Sequence, residues 1–405
     1  MIKKARARAS QVIEVSAYEA VLKRKIRRHF RRRYGAQSSE ETGAKATYRA
    51  AHQTQREERL HKNHALITKR LPDLVDRIAD GREVDPRAVQ PRLVPVLAGT
   101  LEAELFRLAG LSWSIPVSEG FGRRLKFLVV DEQNDKLIGL IALGDPVFNL
   151  GARDRTIGWG VREREQRLAN VLDAYVLGSL PPYNLLLGGK LVACLIKTKD
   201  VARAFAEKYG NTRGVISNAN KSPRLVMVTT TSAMGRSSVY NRMRIGEEKF
   251  FESVGFTQGY GHFHVPDALF QDLRTYLLRK NDPYANGNRF GQGPNWKLRV
   301  VRKSMDELGL GGGLIQHGFR REAFICSLAS NACSFLRGDS KRPNFSGLRD
   351  LQTVSKLCVE RWVIPRASRR PEFRDWRPHH IRRLINSESA DHSGGASGRV
   401  RGNSN

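Results

Sequence analysis

Two histidines separated by one residue are the pattern in this chain that most directly suggests metal chemistry. His262 and His264 lie in a run, residues 256–265, that we predict to be a β-strand. Side chains two positions apart on a strand point to the same face, so both imidazoles can bind one divalent ion, with Mg²⁺ or Mn²⁺ as candidates. The alternative is a pair of histidines whose ring nitrogens form hydrogen bonds within the protein.

A tyrosine close to this pair is a candidate nucleophile. Tyr276 lies on a predicted amphipathic helix, residues 266–280. A triplet of histidine, hydrophobic residue and histidine followed by a helical tyrosine resembles the metal site of nucleases that nick one strand through a covalent phosphotyrosine link. That resemblance implies a metal ion that polarises the scissile phosphate while the tyrosinate attacks. A metal-dependent DNA nickase or endonuclease is therefore the alternative enzymatic hypothesis.

Three aspartates can complete such a site. Asp145 and Asp154 are candidate catalytic carboxylates, and Asp173 is a third acid in a comparable sequence context. Each has a structural alternative. Asp145 precedes a proline, which is a common turn pair, and Asp154 lies between two arginines and can anchor ion pairs.

The positive charge of the chain predicts a polyanionic partner. Its 405 residues contain 70 Lys and Arg against 40 Asp and Glu, a formal net charge of +30. The densest cations lie on a predicted amphipathic helix, residues 12–34, whose neighbouring positions fan out so that phosphates can be met on several sides. The alternative is a solvated helix face. The candidate nucleic-acid contacts are Lys23, Arg24, Lys25, Arg27, Arg28, Arg31, Arg32 and Arg33.

Two further segments have the composition of phosphate or base contacts. Residues 229–238 are rich in hydroxyls and include Arg236, so they can hold a phosphate or, alternatively, cap a helix. Residues 286–296 are predicted to be a Gly and Asn-rich loop, in which aromatic rings between cations suit base stacking. The alternative is that the rings pack inward. The candidate contacts in this loop and just after it, within residues 288–299, are Arg289, Trp296, Lys297 and Arg299.

The composition excludes several protein classes. With 40% hydrophobic residues the chain can bury a core, so it is not a disordered basic tail. The four cysteines form no Cys-x-x-Cys pair, which argues against a zinc ribbon or a disulfide framework. We find no signal peptide and no long apolar run, and we expect a cytoplasmic protein.

The elements that position these residues predict a mixed α/β or α+β fold. Residues 125–130 and 137–143 are predicted to form an antiparallel hairpin, 162–178 and 247–254 helices, and 225–231 a strand. We divide the chain into a basic helical region, residues 1–100, a mixed α/β core, residues 101–368, and a basic tail, residues 369–405. The tail is expected to be disordered from about Ser387.

The chain resembles the DruA family over about residues 10 to 368. The resemblance implies a component of a multi-gene bacterial anti-phage system, Druantia, that includes a helicase-like partner. It therefore predicts a subunit that binds nucleic acid, with phage DNA as the expected target, beside that helicase. The sequence words that carry the resemblance are Leu143-Gly-Asp-Pro-Val-Phe-Asn149, Arg153-Asp-Arg155, Ile157-Gly-Trp159, Asp173-Ala-Tyr-Val-Leu-Gly178, Pro181-Pro-Tyr-Asn-Leu-Leu-Leu-Gly-Gly-Lys190, Thr229-Thr-Thr-Ser-Ala-Met-Gly-Arg-Ser-Ser-Val-Tyr-Asn-Arg242 and Gly259-Tyr-Gly-His-Phe-His264.

The middle of the chain also resembles the acetyltransferase-like fold in the order of its elements. This resemblance implies an acetyltransferase-like central sheet, and an acyltransferase is a further alternative function. An acyl-cofactor site needs spaced glycines at a helix start, where backbone N–H groups face a pyrophosphate. Here Leu185, Leu186 and Leu187 precede the paired glycines Gly188 and Gly189, so the likeness concerns architecture rather than activity.

Overall fold

A computed structural model describes residues 17–30, 44–118, 122–213, 220–259, 261–287 and 294–385. Three predictions fall outside these residues: the ends of the first helix, most of the loop over 286–296, and the disordered tail. No helix in the described ranges is long and apolar enough to cross a bilayer. All four cysteines are described and are free thiols.

The helices of the described chain follow the apolar periodicity of the sequence in most places. They are α1 (residues 17–30), α2 (Ala44–Lys62), α3 (His64–Asp76), α4 (Leu101–Gly110), α5 (Gly151–Ile157), α6 (Val161–Arg167), α7 (Gly188–Cys194), α8 (Lys199–Tyr209), α9 (Asp267–Arg279), α10 (Pro294–Glu307), α11 (Ala332–Arg337), α12 (Leu351–Cys358), α13 (Ile364–Arg369) and α14 (Ile381–Ile385). A π-helical turn, Val359–Val363, joins α12 to α13.

The described strands form one large mixed sheet and two short hairpins. They are β1 (Pro91–Pro95), β2 (Arg124–Asp131), β3 (Lys136–Gly144), β4 (Val171–Ser179), β5 (Thr212–Arg213), β6 (Asn220–Lys221), β7 (Met227–Thr231), β8 (Arg244–Ile245), β9 (Glu248–Lys249), β10 (Glu252–Phe256) and β11 (Glu322–Ser327). The large sheet has seven strands in the order β1-β2-β3-β4-β7-β11-β10.

The sheet changes from antiparallel to parallel pairing at β4. Strands β1 to β4 are antiparallel neighbours, whereas β4 and β7 are parallel, with Asp173 paired to Thr229. A parallel pair needs a long crossover, and residues 180–226 with α7 and α8 provide it. The mixed α/β class and the hairpin of β2 and β3 are thereby confirmed.

Two predicted helices are strands in the structure. Residues 162–178 are helical only through α6, because the segment that follows alternates buried Leu172, Ala174 and Val176 with less buried positions and forms β4. Residues 247–254 contain β9 and the start of β10, whose pairing within sheets overrides local helix propensity.

The predicted strand over residues 256–265 is also mostly wrong. Strand β10 ends at Phe256, and beyond it His262 forms only an isolated antiparallel bridge to Gln316. The two histidines therefore do not lie on a regular strand, and the two-residue periodicity assumed for their side chains does not apply to them.

The chain divides into two compact units. The smaller unit consists of Met1–Glu58, Thr231–Ser237 and Val254–Ala323, and the larger unit of Arg59–Thr230, Ser238–Ser253 and Phe324–Asn405. The boundary that we predict near residue 100 falls inside the larger unit. The smaller unit has 26 Lys and Arg against 12 Asp and Glu, and the larger unit has 44 against 28.

Each unit has its own apolar core. In the larger unit two clusters of buried side chains receive alternate residues of β2, with Phe127 and Val129 in one cluster and Leu128 and Val130 in the other. The sheet is therefore covered on both faces, which is typical of strands with nearly continuous apolar sequence. In the smaller unit α1, α9 and α10 share one cluster.

Candidate functional site

Helix α1 presents an exposed arginine stripe on the side opposite its buried residues. At 100° per residue, Arg24, Arg27 and Arg28 lie within about 100° of one another and face away from the core. All three side chains are exposed, and none forms an ion pair within the described residues. We call these three residues the arginine stripe. The buried positions of the helix are Leu22, Ile26 and Phe30.

The other cations predicted on this helix have different environments. Lys25 forms an ion pair with Asp272 of α9, and Lys23 is half-buried. Arg31, Arg32 and Arg33 lie outside the described residues. The prediction that cations surround the helix thus narrows, in the described part, to one exposed face.

Helix α10 replaces part of the predicted loop and places its aromatic residue in the core. Trp296 is 3% exposed, and its Nε1 donates a hydrogen bond of 2.8 Å to the carbonyl oxygen of Tyr284. The alternative of inward packing is therefore confirmed for this ring. Lys297 and Arg299 are exposed, and Arg299 forms no ion pair among the described residues. Arg289 lies outside them.

In the hydroxyl-rich segment, residues 229–238, Arg236 is exposed, but the backbone N–H of the next residue is hydrogen-bonded within the protein. Ser237 donates its backbone N–H to the buried carboxylate of Glu322 at 3.0 Å. Gly235 has a positive φ of 72°, and a Cβ there would lie 2.9 Å from the Tyr48 hydroxyl oxygen. The turn is therefore packed closely against the side chain of Tyr48, and Arg236 projects to the surface.

His262 and His264 have separate protein partners. Nη2 of Arg302 lies 3.0 Å from Nε2 of His262, and burial, followed by the Arg302 charge, lowers the pKa of that imidazole. His264 forms a short contact through Nε2 with the carboxylate of Glu58. The hydrogen-bonded alternative is what the structure shows. The described residues contain no group of three or more His, Cys, Asp or Glu side chains arranged to hold a metal ion.

Tyr276 is fully buried in the smaller unit. Its hydroxyl donates a hydrogen bond of 2.8 Å to Oε1 of Glu19, and burial is the main cause that raises its pKa. A tyrosine nucleophile needs an accessible phenolate. In this conformation the tyrosine ties α9 to α1 instead.

A group of basic side chains lies beside His262. The pKa of His317 is lowered to about 4 by burial and by the charges of Arg321, His52 and His262. Nδ1 of His317 accepts a 3.0 Å hydrogen bond from the backbone N–H of Phe319, so its ring proton lies on Nε2. Tyr48 interacts electrostatically with Arg321, and Arg302 contacts His262. We call Arg321, Arg302, His317, His262 and Tyr48 the Arg321 cluster.

Arg321 has no partner for its charge in the described part of the chain. It is partly buried, its Nε is fully buried without a hydrogen-bond acceptor, and no carboxylate forms an ion pair with it. Burial lowers its pKa. No acid within the described residues pairs with Arg302 or His317 either. No sequence pattern predicts this cluster, because its members come from distant segments of the chain.

In the larger unit Asp154 is the centre of a buried ion-pair network. Arg153 is fully buried and contacts Asp154 at 2.7 Å, and Arg164 contacts the second carboxylate oxygen at 3.0 Å. Trp159 adds a hydrogen bond from Nε1 at 2.9 Å. The alternative of an ion-pair anchor is confirmed for Asp154. Its oxygens are engaged by at least three side chains.

Asp145 also pairs with an arginine. Oδ1 accepts a hydrogen bond of 2.7 Å from Nε of Arg123, and Oδ2 accepts one of 3.0 Å from the backbone N–H of the same residue. Arg123 in turn donates to the carbonyl oxygen of Ala169 at 2.7 Å. The carboxylate, which follows β3, is therefore tied to Arg123 before β2, and the Arg123 guanidinium makes the link to the residues that precede β4.

Asp173 is the acid with the most perturbed environment. Burial raises its pKa to about 6, although a hydrogen bond from Thr229 and the charge of Arg153 act in the opposite direction. The Thr229 hydroxyl donates to Oδ1 at 2.7 Å across the parallel pair of β4 and β7. Burial is the main cause that raises the pKa of the nearby Tyr240, and the charge of Asp173 raises it further. A raised carboxyl pKa is typical of functional sites.

The first of the paired glycines at the start of α7, Gly188, is needed for close packing. A Cβ on Gly188 would lie 2.6 Å from the carbonyl oxygen of Tyr183. The preceding residue, Leu187, has a positive φ of 60°. Helix α7 is only seven residues long, and nothing in this turn favours an acyl cofactor over simple packing.

This chain is similar to known proteins over most of its length. The family model described as Druantia protein DruA matches residues 42–338. The chain belongs to the DruA family. A Druantia protein DruA from Escherichia coli (strain UMEA 4076-1) is 46% identical to it over 385 residues, which cover 94% of this chain and 95% of that protein. No solved structure matches the chain.

Membership of the DruA family makes this chain a component of a Druantia anti-phage system. The matched region includes both candidate sites, the Arg321 cluster of the smaller unit and the Asp154 and Asp173 residues of the larger unit. It does not include α1, which lies before residue 42. The 46% identical protein aligns over 94% of the chain.

Proposed function

We propose that this DruA-family protein binds nucleic acid, with phage DNA as its target, through the basic surface of the smaller unit. The observation that carries the proposal is the arginine stripe on α1, which has no acidic partner among the described residues. Surface arginines left without acids are suited to phosphate contacts, which supply most of the affinity of non-specific nucleic-acid binding.

Two further observations support this function. The smaller unit carries 26 basic against 12 acidic residues, a larger relative excess than the 44 against 28 of the larger unit. Arg299 and Arg302 are exposed on α10 three residues apart, so they share a helix face. Helices α1 and α10 are also tied together, because Lys280 forms ion pairs with Glu19 and Glu307.

The proposal includes a helicase-like partner from the same system and action in the cytoplasm. Both follow from the family resemblance and from the chemistry of a nucleic-acid-binding subunit. The likeness to the acetyltransferase fold stays a prediction about the architecture of the sheet, and binding through the smaller unit does not depend on it. Neither a metal-dependent nickase nor an acyltransferase is favoured by a contact in the described residues.

The test is a titration of labelled single-stranded and duplex oligonucleotides at several salt concentrations. The variant R24Q/R27Q/R28Q removes the stripe, and R107Q/R162Q/R203Q removes three exposed arginines of the larger unit that also form no ion pair in the described chain. Both variants lose the same charge. We expect the stripe variant to lose about two to three units of the log–log salt slope, because each phosphate contact contributes about 0.9. Equal losses in both variants would contradict the proposal.

A further inference from the structure

The Arg321 cluster has the composition of an anion site that no internal group fills. Arg321 is partly buried with its Nε shielded from solvent, and within the described residues it has no hydrogen-bond acceptor and no ion pair. A buried charge without a partner costs folding free energy. A side chain held in that state is suited to binding an anion from outside the chain.

The side chains near Arg321 also favour an anion as the ligand. His317 lies within electrostatic range of Arg321 and of His262, and Nε2 of His262 lies 3.0 Å from Nη2 of Arg302. Two guanidinium groups and two imidazoles are thus linked, and no described carboxylate pairs with Arg321, Arg302 or His317. Such a set repels cations and attracts anions. A divalent metal ion is therefore a poor occupant of this cluster.

The shape of the cluster is held by backbone close to it. His317 donates its backbone N–H to the carbonyl oxygen of Gly261 at 3.1 Å, and a Cβ on Gly261 would lie 2.4 Å from Nε2 of the imidazole. The ring also stacks on Phe319, with 4.5 Å between ring centroids. Positioned donors of this kind need little rearrangement when a ligand binds.

We propose that the Arg321 cluster binds a phosphate group of nucleic acid, an inference that rests on the proposed nucleic-acid function. A guanidinium can donate two parallel hydrogen bonds to two phosphate oxygens, and neutral imidazoles add single N–H donors. The exposed arginine stripe then contacts phosphates along the nucleic-acid backbone, whereas the Arg321 cluster binds one phosphate more closely. The phosphate is either the phosphodiester of the strand or the monoester at its end.

The first test uses inorganic phosphate as the probe and thermal unfolding of the full chain as the readout. We expect phosphate, compared with chloride at equal ionic strength, to raise Tm of the unmodified protein, because binding to the folded state stabilises it. The variant R321M should lose this rise. Its neighbour Arg320 is exposed, so R320M is the matched control and should keep the rise.

Phosphate also stabilises proteins by exclusion from their surface, which acts on all variants alike. An equal rise in the unmodified protein, R321M and R320M would therefore overturn the site. R321M should itself fold with unchanged or higher Tm, since it replaces an unpaired buried charge with an apolar side chain of similar length. A severe loss of stability in R321M would also contradict the proposal, because it would reveal an internal partner.

The second test compares oligonucleotides that carry a 5′-phosphate with the same strands ending in a 5′-hydroxyl. A preference of about tenfold or more for the phosphorylated strand, lost in R321M and kept in R320M, would assign the cluster to the terminal monoester. Equal affinity for both strands, weakened by R321M with a loss of about one unit of salt slope, would assign it to the backbone phosphodiester.

The outcomes separate this inference from the function on which it rests. If the unmodified protein binds oligonucleotides and R321M binds them with the same affinity and salt slope, the site is wrong and the function stands. If no oligonucleotide binds in dilute buffer while the phosphate-dependent rise in Tm depends on Arg321, the site stands and the nucleic-acid function is wrong.

Discussion

Arginine has opposite roles in the two units. In the larger unit the fully buried Arg153 and the nearly buried Arg164 both contact Asp154, so each guanidinium has an acidic partner within the fold. In the smaller unit the partly buried Arg321 pairs with no described carboxylate, and Arg24 on the surface pairs with none either. The difference teaches that residue type alone does not identify a binding arginine, and that the acidic partners of each guanidinium and the unit in which it lies must also be known.

The same contrast applies to the candidate acids. Asp145 and Asp154 each accept hydrogen bonds from arginine. Asp173 is close to Arg153 but accepts a hydrogen bond from Thr229, and burial raises its pKa to about 6. Burial thus raises the pKa of an acid, Asp173, in the larger unit and lowers the pKa of a base, Arg321, in the smaller unit.

We expect the largest effect on stability from replacing Arg153, the paired arginine of the larger unit. R153M removes one partner of a buried ion pair and leaves Asp154 with part of its charge uncompensated, so we expect a loss of about 3–5 kcal/mol in the free energy of unfolding. Urea denaturation at neutral pH measures it. R321M in the smaller unit is the counterpart and should leave the free energy of unfolding unchanged or raise it. Similar costs for both substitutions would remove the distinction between the units.

Replacing Asp173 should stabilise the protein in a pH-dependent way. Because the folded-state pKa of about 6 lies above the reference value of 3.8, the native state binds more protons between these values and stability falls as pH rises through them. D173N, which keeps the acceptor for Thr229, should raise the free energy of unfolding by about 1–3 kcal/mol above pH 6. The gain should vanish below pH 4. A gain that is independent of pH would show that the carboxyl is not strained.

The smallest expected effect concerns the candidate nucleophile. Y276F removes the hydrogen bond to Glu19 and should cost about 1 kcal/mol of stability without changing oligonucleotide affinity. The protein should also leave supercoiled plasmid intact in Mg²⁺ or Mn²⁺, since Tyr276 is buried and the two histidines have separate partners. Open circles that form with the unmodified protein but not with Y276F would restore the nickase hypothesis.

Local sequence patterns predict the elements whose conformation is determined by residues close in sequence. The hairpin of β2 and β3 follows from two apolar runs around a polar turn, and α9 follows from its apolar periodicity. Strand β4 follows α6 after only a short 3₁₀ turn, Leu168–Asn170, so a single long helix was predicted there, although the alternating burial of β4 has the period of a strand. Pro294 at the first position of α10 was a helix-start signal within the predicted loop.

The candidate sites were only partly accessible to prediction. The sequence indicated the cations of α1 and the pair His262 and His264, but it could not show that the first group keeps a free face while each histidine is held by another side chain. Arg302 and Arg321 belong to no motif. Their proximity to the histidines is a product of tertiary packing between segments far apart in the chain.

The account predicts that nucleic acid is bound by the smaller unit, and arginine footprinting tests this most directly. Phenylglyoxal modifies accessible arginines, and mass spectrometry reads the sites with and without a saturating oligonucleotide. We expect the oligonucleotide to protect Arg24, Arg27 and Arg28 while Arg107 and Arg203, which are also exposed, stay reactive. Protection of the larger-unit arginines with an unprotected stripe on α1 would contradict the account.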